Sequence, residues 1–214
     1  MSSNSYGTFQ YNLVDVDRLV ESHAALSGTG LGRRGLGHIT RSGVVMLCAA
    51  WEMYTEQVLL EGLDFLVNRV ASPDQLPKSV QKKLSSYVRE HKNELKPLHL
   101  AGDGWKTILI EYATSKTNAL NTPKSGNLNE LYNSFIGIDQ ISDSWSRTAT
   151  FVDTFVGVRG DIAHRGRHAD YITIPQLSDY RDGICLCVKE TDNAISQHIK
   201  AVSPARRKPW NSIT

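Results

Sequence analysis

Residues 40 to 70 carry apolar side chains at three- and four-residue steps over a longer stretch than any other part of the chain: Val44, Leu47, Trp51, Tyr54, Val58, Leu59, Leu63, Leu66 and Val70. A stripe this wide, sustained over many turns, predicts a long helix buried along much of its circumference. Such a helix must be surrounded, and the rest of the sequence offers helices to do it. Leu13, Val16, Val20 and Ala24 mark an amphipathic helix over 12–26, and Trp105, Ile108, Leu109, Tyr112 and Ala113 mark another from Trp105 to Leu120. A short helix is expected from Leu128 to Phe135. A further one, capped by Ser146, follows through Ala149, Val152, Phe155, Val156, Val158 and Ile162, and a last one covers 176–199. Only YITIP, residues 171–175, reads as a short strand or extended segment, stopped by its proline. No alternating strand pattern or internal repeat competes, so the expected fold class is all-α.

A chain of 214 residues is long enough for one substantial core. Its 40% apolar and 21% charged residues argue against long disorder. The net charge of +2 excludes the strong basic excess of a general DNA binder and leaves any nucleic-acid contact to a local patch. Three cysteines, Cys48, Cys185 and Cys187, are an odd number, contain only a lone Cys-x-Cys and have no second ligand pair at zinc spacing. Buried thiols are therefore expected, with no disulfide framework, metal or cofactor. The first residues lack a basic start and an apolar signal region, and the longest apolar run, Val44 to Trp51, is far short of the ~20 residues that span a bilayer. A cytoplasmic protein with no membrane partner is the expectation. Residues 1–39 read as an N-terminal helix and glycine-rich loop packed on a helical domain of 40–200, and 201–214 as a basic, mobile tail.

Two segments invite a phosphate. Gly28, Gly30, Gly32, Gly35 and Gly37 mark a loop, but it follows a helix rather than a strand and no Gly-Lys-Ser/Thr closes it, so both nucleotide fingerprints fail. It reads either as a flexible connector or as a phosphate-contacting loop that uses Arg33 and Arg34. After Pro73 and Pro77 comes a helix rich in Lys78, Lys82, Lys83, Arg89 and Lys92. That basic face is either solvated or a groove for an RNA backbone.

Arginine and histidine stand five positions apart three times: Arg18 with His23, Arg33 with His38, and Arg159 with His164. With 13 arginines and 7 histidines the spacing is expected by chance about once, so context must choose. A glycine-rich loop cannot hold Arg33 and His38 to catalytic tolerance. Five residues of continuous helix turn Arg18 and His23 about 140° apart. The third pair ends a strongly apolar helix, and a break just after Ala163 would let His164 fold back toward Arg159. A structural reading stands beside it, in which Arg159 pairs with Asp161, Asp153 or a helix carboxyl end and His164 is a polar helix stop.

In order, AAWEMYTEQVLLEGLDFL, NTPKSGNLNELY, IGIDQISDSW and VRGDIAHRG resemble the RiboL-PSP-HEPN branch of the HEPN superfamily, over roughly residues 40 to 200. The resemblance implies a compact antiparallel helical bundle, usually dimeric, in which Arg-x4-6-His motifs of two protomers meet at the two-fold interface. It implies metal-independent endoribonuclease activity, often within toxin-antitoxin, phage-defence or other RNA-directed systems, and hence an antitoxin or effector-complex partner. Arg159 and His164 match the motif. Gly160 departs from it, because a polar residue, often asparagine, commonly stands there, and Asp161, one step displaced, could substitute for that polarity. Glu52, in the midst of the long helix, is a possible supporting residue, and Arg165, Arg167 and His168 would suit RNA phosphates.

The expected chemistry is attack of an RNA 2′-hydroxyl on the adjacent phosphorus, leaving a 2′,3′-cyclic phosphate and a 5′-hydroxyl. His164 would exchange the proton near neutral pH, and Arg159 would stabilise the phosphate oxygens. The alternative is a catalytically inactive HEPN module that binds RNA or a partner protein.

Overall fold

The computed structural model describes residues 1–27, 33–204 and 206–214, and the side chains of Arg33 and Arg34 are not among those described. It contains seven α-helices, and no strand occurs among the described residues: α1 (Asn4–Ser27), α2 (Gly37–Val67), α3 (Lys78–Arg89), α4 (Gly104–Thr117), α5 (Ser125–Phe135), α6 (Ala149–Arg165) and α7 (Ile174–Val202). The predicted long helix is α2. Val44, Leu47, Trp51, Tyr54, Val58, Leu59, Leu63 and Leu66 are all buried on it.

Around α2 stand α1, α6 and α7. Asn12 of α1 reaches Met53, and Ser5 reaches Glu61, so α1 runs antiparallel to α2. Tyr54 donates to the Val188 carbonyl at 2.9 Å, while Gly43 faces Leu177 and Gly62 faces Ile195, so α2 and α7 run parallel. Phe155 meets Tyr180 and Phe151 meets Gly183, which sets α6 antiparallel to α7. Helices α4 and α5 cover the remaining side of α2, and α3 packs on α5. Large buried aromatics fill the space between, and each places its polar end on an acceptor: Trp51 Nε1 on the Pro123 carbonyl at 3.1 Å, Tyr132 on the Thr55 carbonyl at 2.8 Å, and Trp145 Nε1 on Thr191 Oγ1 at 2.8 Å. A buried indole or phenol left unpaired would cost about 1–3 kcal/mol.

Several boundaries differ from the sequence reading for physical reasons. Helix α1 begins eight residues earlier than expected, because the Glu61 carboxylate of α2 accepts from the Asn4 and Ser5 backbone N–H groups at 2.9 and 3.0 Å. Helix α5 begins at Ser125 because Asp153 of α6 accepts from the Ser125 backbone and hydroxyl at 2.7 and 2.8 Å. In both cases a carboxylate from another element satisfies orphan amides of a first turn. YITIP forms no strand. Thr173 and Gln176 close a capping box and Pro175 sits in the first turn of α7, where its missing N–H costs nothing. Thr148, rather than Ser146, precedes α6, and it makes no side-chain capping bond.

The glycine-rich segment is only partly a loop: Arg33–Leu36 is a 3-10 turn and Gly37 already opens α2. Gly28, Gly30, Gly32 and any phosphate contact by Arg33 and Arg34 lie outside the described residues. The tail is not mobile as expected but docked. Trp210 is buried, donates to the Asp192 carbonyl at 3.1 Å and accepts from Ser196 at 2.6 Å, and Asn193 bonds Ile213 in both directions. No helix among the described residues is long and apolar enough to cross a membrane.

Candidate functional site

Helix α6 buries Val152, Phe155, Val156 and Ile162 against the bundle, which leaves its carboxyl-terminal half to present polar residues from a fixed base. It does not break after Ala163. It continues through Arg165 and stops at Gly166, whose φ of 53° and ψ of −119° favour a residue without Cβ. His164 and Arg165 complete its last turn, the end at which the helix dipole favours cations. Arg159 and His164 therefore lie on one uninterrupted helix, about 140° apart in direction and about 7.5 Å apart along the axis. Within one chain they do not converge.

Arg159 points inward along the bundle surface. Its Nη2 lies 3.5 Å from Glu52 Oε2 of α2, with side-chain exposures of 34% and 20%. Glu52, set down from the sequence only as a possible supporting residue, is thus the carboxylate beside the motif arginine. Neither Asp161 nor Asp153 pairs with Arg159. Asp161 is exposed, and Asp153 is committed to capping α5. The buried Cys48 thiol lies in the same field: burial raises it to about 12, against the lowering influence of the Arg159 charge.

One turn along α2 stands Glu56, which sequence reasoning missed. Burial first, and then the charge of Glu52, raise its carboxyl to about 7. The legible signal was the glutamate pair at i, i+4 in EMYTE, which places two carboxylates on one helix face.

His164 is exposed and has no hydrogen-bond or ionic partner among the described residues, so it is accessible to solvent and to a ligand. Arg165, Arg167 and His168 are also exposed, the latter two on the 3-10 turn Gly166–His168. Gly160 is half-buried, and a Cβ built on it would meet nothing within 4 Å. Packing does not require a glycine there. Of the other two pairs, Arg18 is exposed with Asp15 at 3.7 Å, and His38 sits in the first turn of α2.

Seven helices with no strand among the described residues agree with the all-α fold of HEPN-type domains. A family model, RiboL-PSP-HEPN, matches residues 12–197, and the chain belongs to that family. The match extends through most of α1, which the motif-based likeness had left out. Among curated proteins and among solved structures, no match reaches significance. Membership in a HEPN family points to a nuclease or other RNA-related role.

Proposed function

We infer that the chain is a metal-independent endoribonuclease that cleaves RNA through the RNA's own 2′-hydroxyl. The observation that carries this reading is the division of labour on α6: Arg159 is anchored by Glu52 on a packed helix, while His164 is free and exposed beside Arg165, Arg167 and His168. An anchored guanidinium offers a planar fork to phosphate oxygens, and a free imidazole can move protons near neutral pH. In the step, neutral His164 takes the 2′-hydroxyl proton and the 2′-oxygen bonds to phosphorus. Arg159 stabilises the charge on the phosphate oxygens. The bond to the 5′-oxygen breaks, and an imidazolium returns a proton to that oxygen.

The angular separation of the two residues bears on assembly. One copy cannot bring both to one phosphate, whereas a two-fold dimer sets two copies of each around a shared cleft. The exposed strip of Val45, Met46, Ala49 and Met53 on α2 supports a homodimer. With Glu52 it occupies about a third of the helix circumference, between Asn12 of α1 and Arg159 of α6, so a second copy seated there would lie beside the motif. The proposal extends to a toxin-antitoxin, phage-defence or RNA-directed setting with an antitoxin or effector partner, and membership in a HEPN family supports it.

Gly160, at a position where the motif commonly has a polar residue, favours one other reading, an inactive module that binds RNA or a partner protein. Cleavage assays in excess chelator separate the two. The native protein should cut RNA, and His164→Ala should be slower by roughly 10²- to 10⁴-fold. Equal inactivity of both would leave the binding module, and loss of activity on chelation would overturn the metal-free mechanism. A strict monomer on a sizing column would remove the composite site.

A further inference from the structure

The basic charge of the chain is concentrated away from α6. Residues 78–135 hold nine Lys and Arg against five Asp and Glu, an excess of four in a chain of net charge +2, so the remainder is net acidic. Helices α3, α4 and α5 gather this charge around an aromatic stack. Tyr87 of α3 and Tyr112 of α4 lie face to face, with centroids 3.9 Å apart and planes 9° apart. The Lys96 ammonium stands 5.8 Å from the Tyr87 ring centre and the Lys116 ammonium 5.8 Å from that of Tyr112. His91 meets Tyr87 edge-on at 5.6 Å. Cations over ring faces are attracted by the ring quadrupole, so the tyrosines hold the lysine stems in place.

Concavities border this stack. One of about 440 Å³ lies between Lys83, Lys116, Asn121 and Asn127, one of about 360 Å³ between Lys83, Tyr87, His91 and Lys92, and one of about 270 Å³ between Lys82, Lys83 and Asn133. Lys83 borders all three, which makes them parts of one groove. Glu130 and Glu90 also border it, but each has a basic neighbour, Lys83 at 3.9 Å and Arg89 at 3.4 Å.

We propose that this groove binds single-stranded RNA, with its lysines along the phosphates and its asparagines and aromatic edges toward the bases. Spaced ammonium groups suit a phosphodiester chain, and the amide groups of Asn121, Asn127 and Asn133 suit the hydrogen-bonding edges of unpaired bases. The lining mixes Leu120, Leu131 and Phe135 with Lys83, Lys116, Asn121 and Asn127, and these cationic and amide groups suit a phosphodiester chain better than the wholly apolar face of a partner helix. The proposal draws on the RNA-related reading of the family but does not require that α6 cleave.

The test uses full-length His164→Ala protein, so that a failure of binding is not confused with a failure of cleavage. Fluorescence anisotropy of a labelled single-stranded oligoribonucleotide is compared with and without Lys82→Gln, Lys92→Gln and Lys116→Gln together. All three side chains are exposed, and circular dichroism should show an unchanged fold. Expected are a loss of affinity of roughly 10-fold or more and a drop of about 2 in the slope of log affinity against log salt, at about 0.7 per phosphate contact. Unchanged affinity and slope would overturn the proposal while leaving the nuclease reading intact. Polyglutamate of matched charge should compete weakly. Competition equal to that of RNA would assign the groove to an acidic protein and overturn the RNA assignment.

Discussion

Arg159 owes its place to Glu52, and the contact tells how the site tolerates change. Replacing Glu52 with glutamine removes the charge that orients the guanidinium while keeping the side chain's volume. The expected result is a fall in kcat of roughly 10-fold or more with little change in KM, since misplacing a catalytic group by about 1 Å can cost 100-fold. Steady-state cleavage kinetics would check it, and an unchanged kcat would make the contact incidental. Gly160 points the other way. Its open surroundings admit a side chain, so Gly160→Ala should raise the stability of α6 by up to about 1 kcal/mol, or about 2–4 °C in Tm. At this scale Arg159, His164 and Glu52 could be picked out from the sequence as candidates, but the Arg159–Glu52 contact could not. The spacing of 107 residues between those two carries no local signal.

At the scale of elements, α6 is positioned by its contact with α7. A Cβ on Gly183 would stand 2.2 Å from Phe151 Cζ, too close for any real contact. Gly183→Ala should therefore cost about 1–3 kcal/mol in denaturant unfolding, and Phe151→Leu should recover part of that loss in the double variant. Additive losses would mean that the two helices adjust independently. Apolar periodicity made the helices legible, because their stripes are what the core buries. The starts of α1 and α5 were not legible, since their capping carboxylates, Glu61 and Asp153, belong to other helices. The end of α6 was misplaced by two residues: nothing in Ala163-His164 breaks a helix, and the positive φ falls on Gly166.

Over the whole molecule, the two terminal segments close on one buried residue, Asp192. Ser3 donates to Asp192, and Trp210 donates to its backbone carbonyl. Burial raises Asp192 from 3.8 to about 6, and Glu56 is raised from 4.5 to about 7. Both groups bind a proton more tightly folded than unfolded. Their contribution to stability is therefore greatest below the unfolded pKa, is lost as pH rises from about 4 to 7, and levels off above. Asp192→Asn keeps an acceptor for Ser3 without the buried charge. It should flatten the pH 4 to 6 part of a Tm-against-pH profile and leave the protein at least as stable at pH 7; an unaltered profile would remove Asp192 from the account. The docked tail was illegible because Trp210 lies among Arg206, Arg207 and Lys208, which read as a solvated end.

The chemistry of the cut ends tests the central claim most directly. RNA digested by the native protein in excess chelator should carry 2′,3′-cyclic phosphate and 5′-hydroxyl termini, and those termini should disappear with His164→Ala. Products ending in 3′-hydroxyl and 5′-phosphate, or the same cyclic ends at the same rate from His164→Ala, would contradict it.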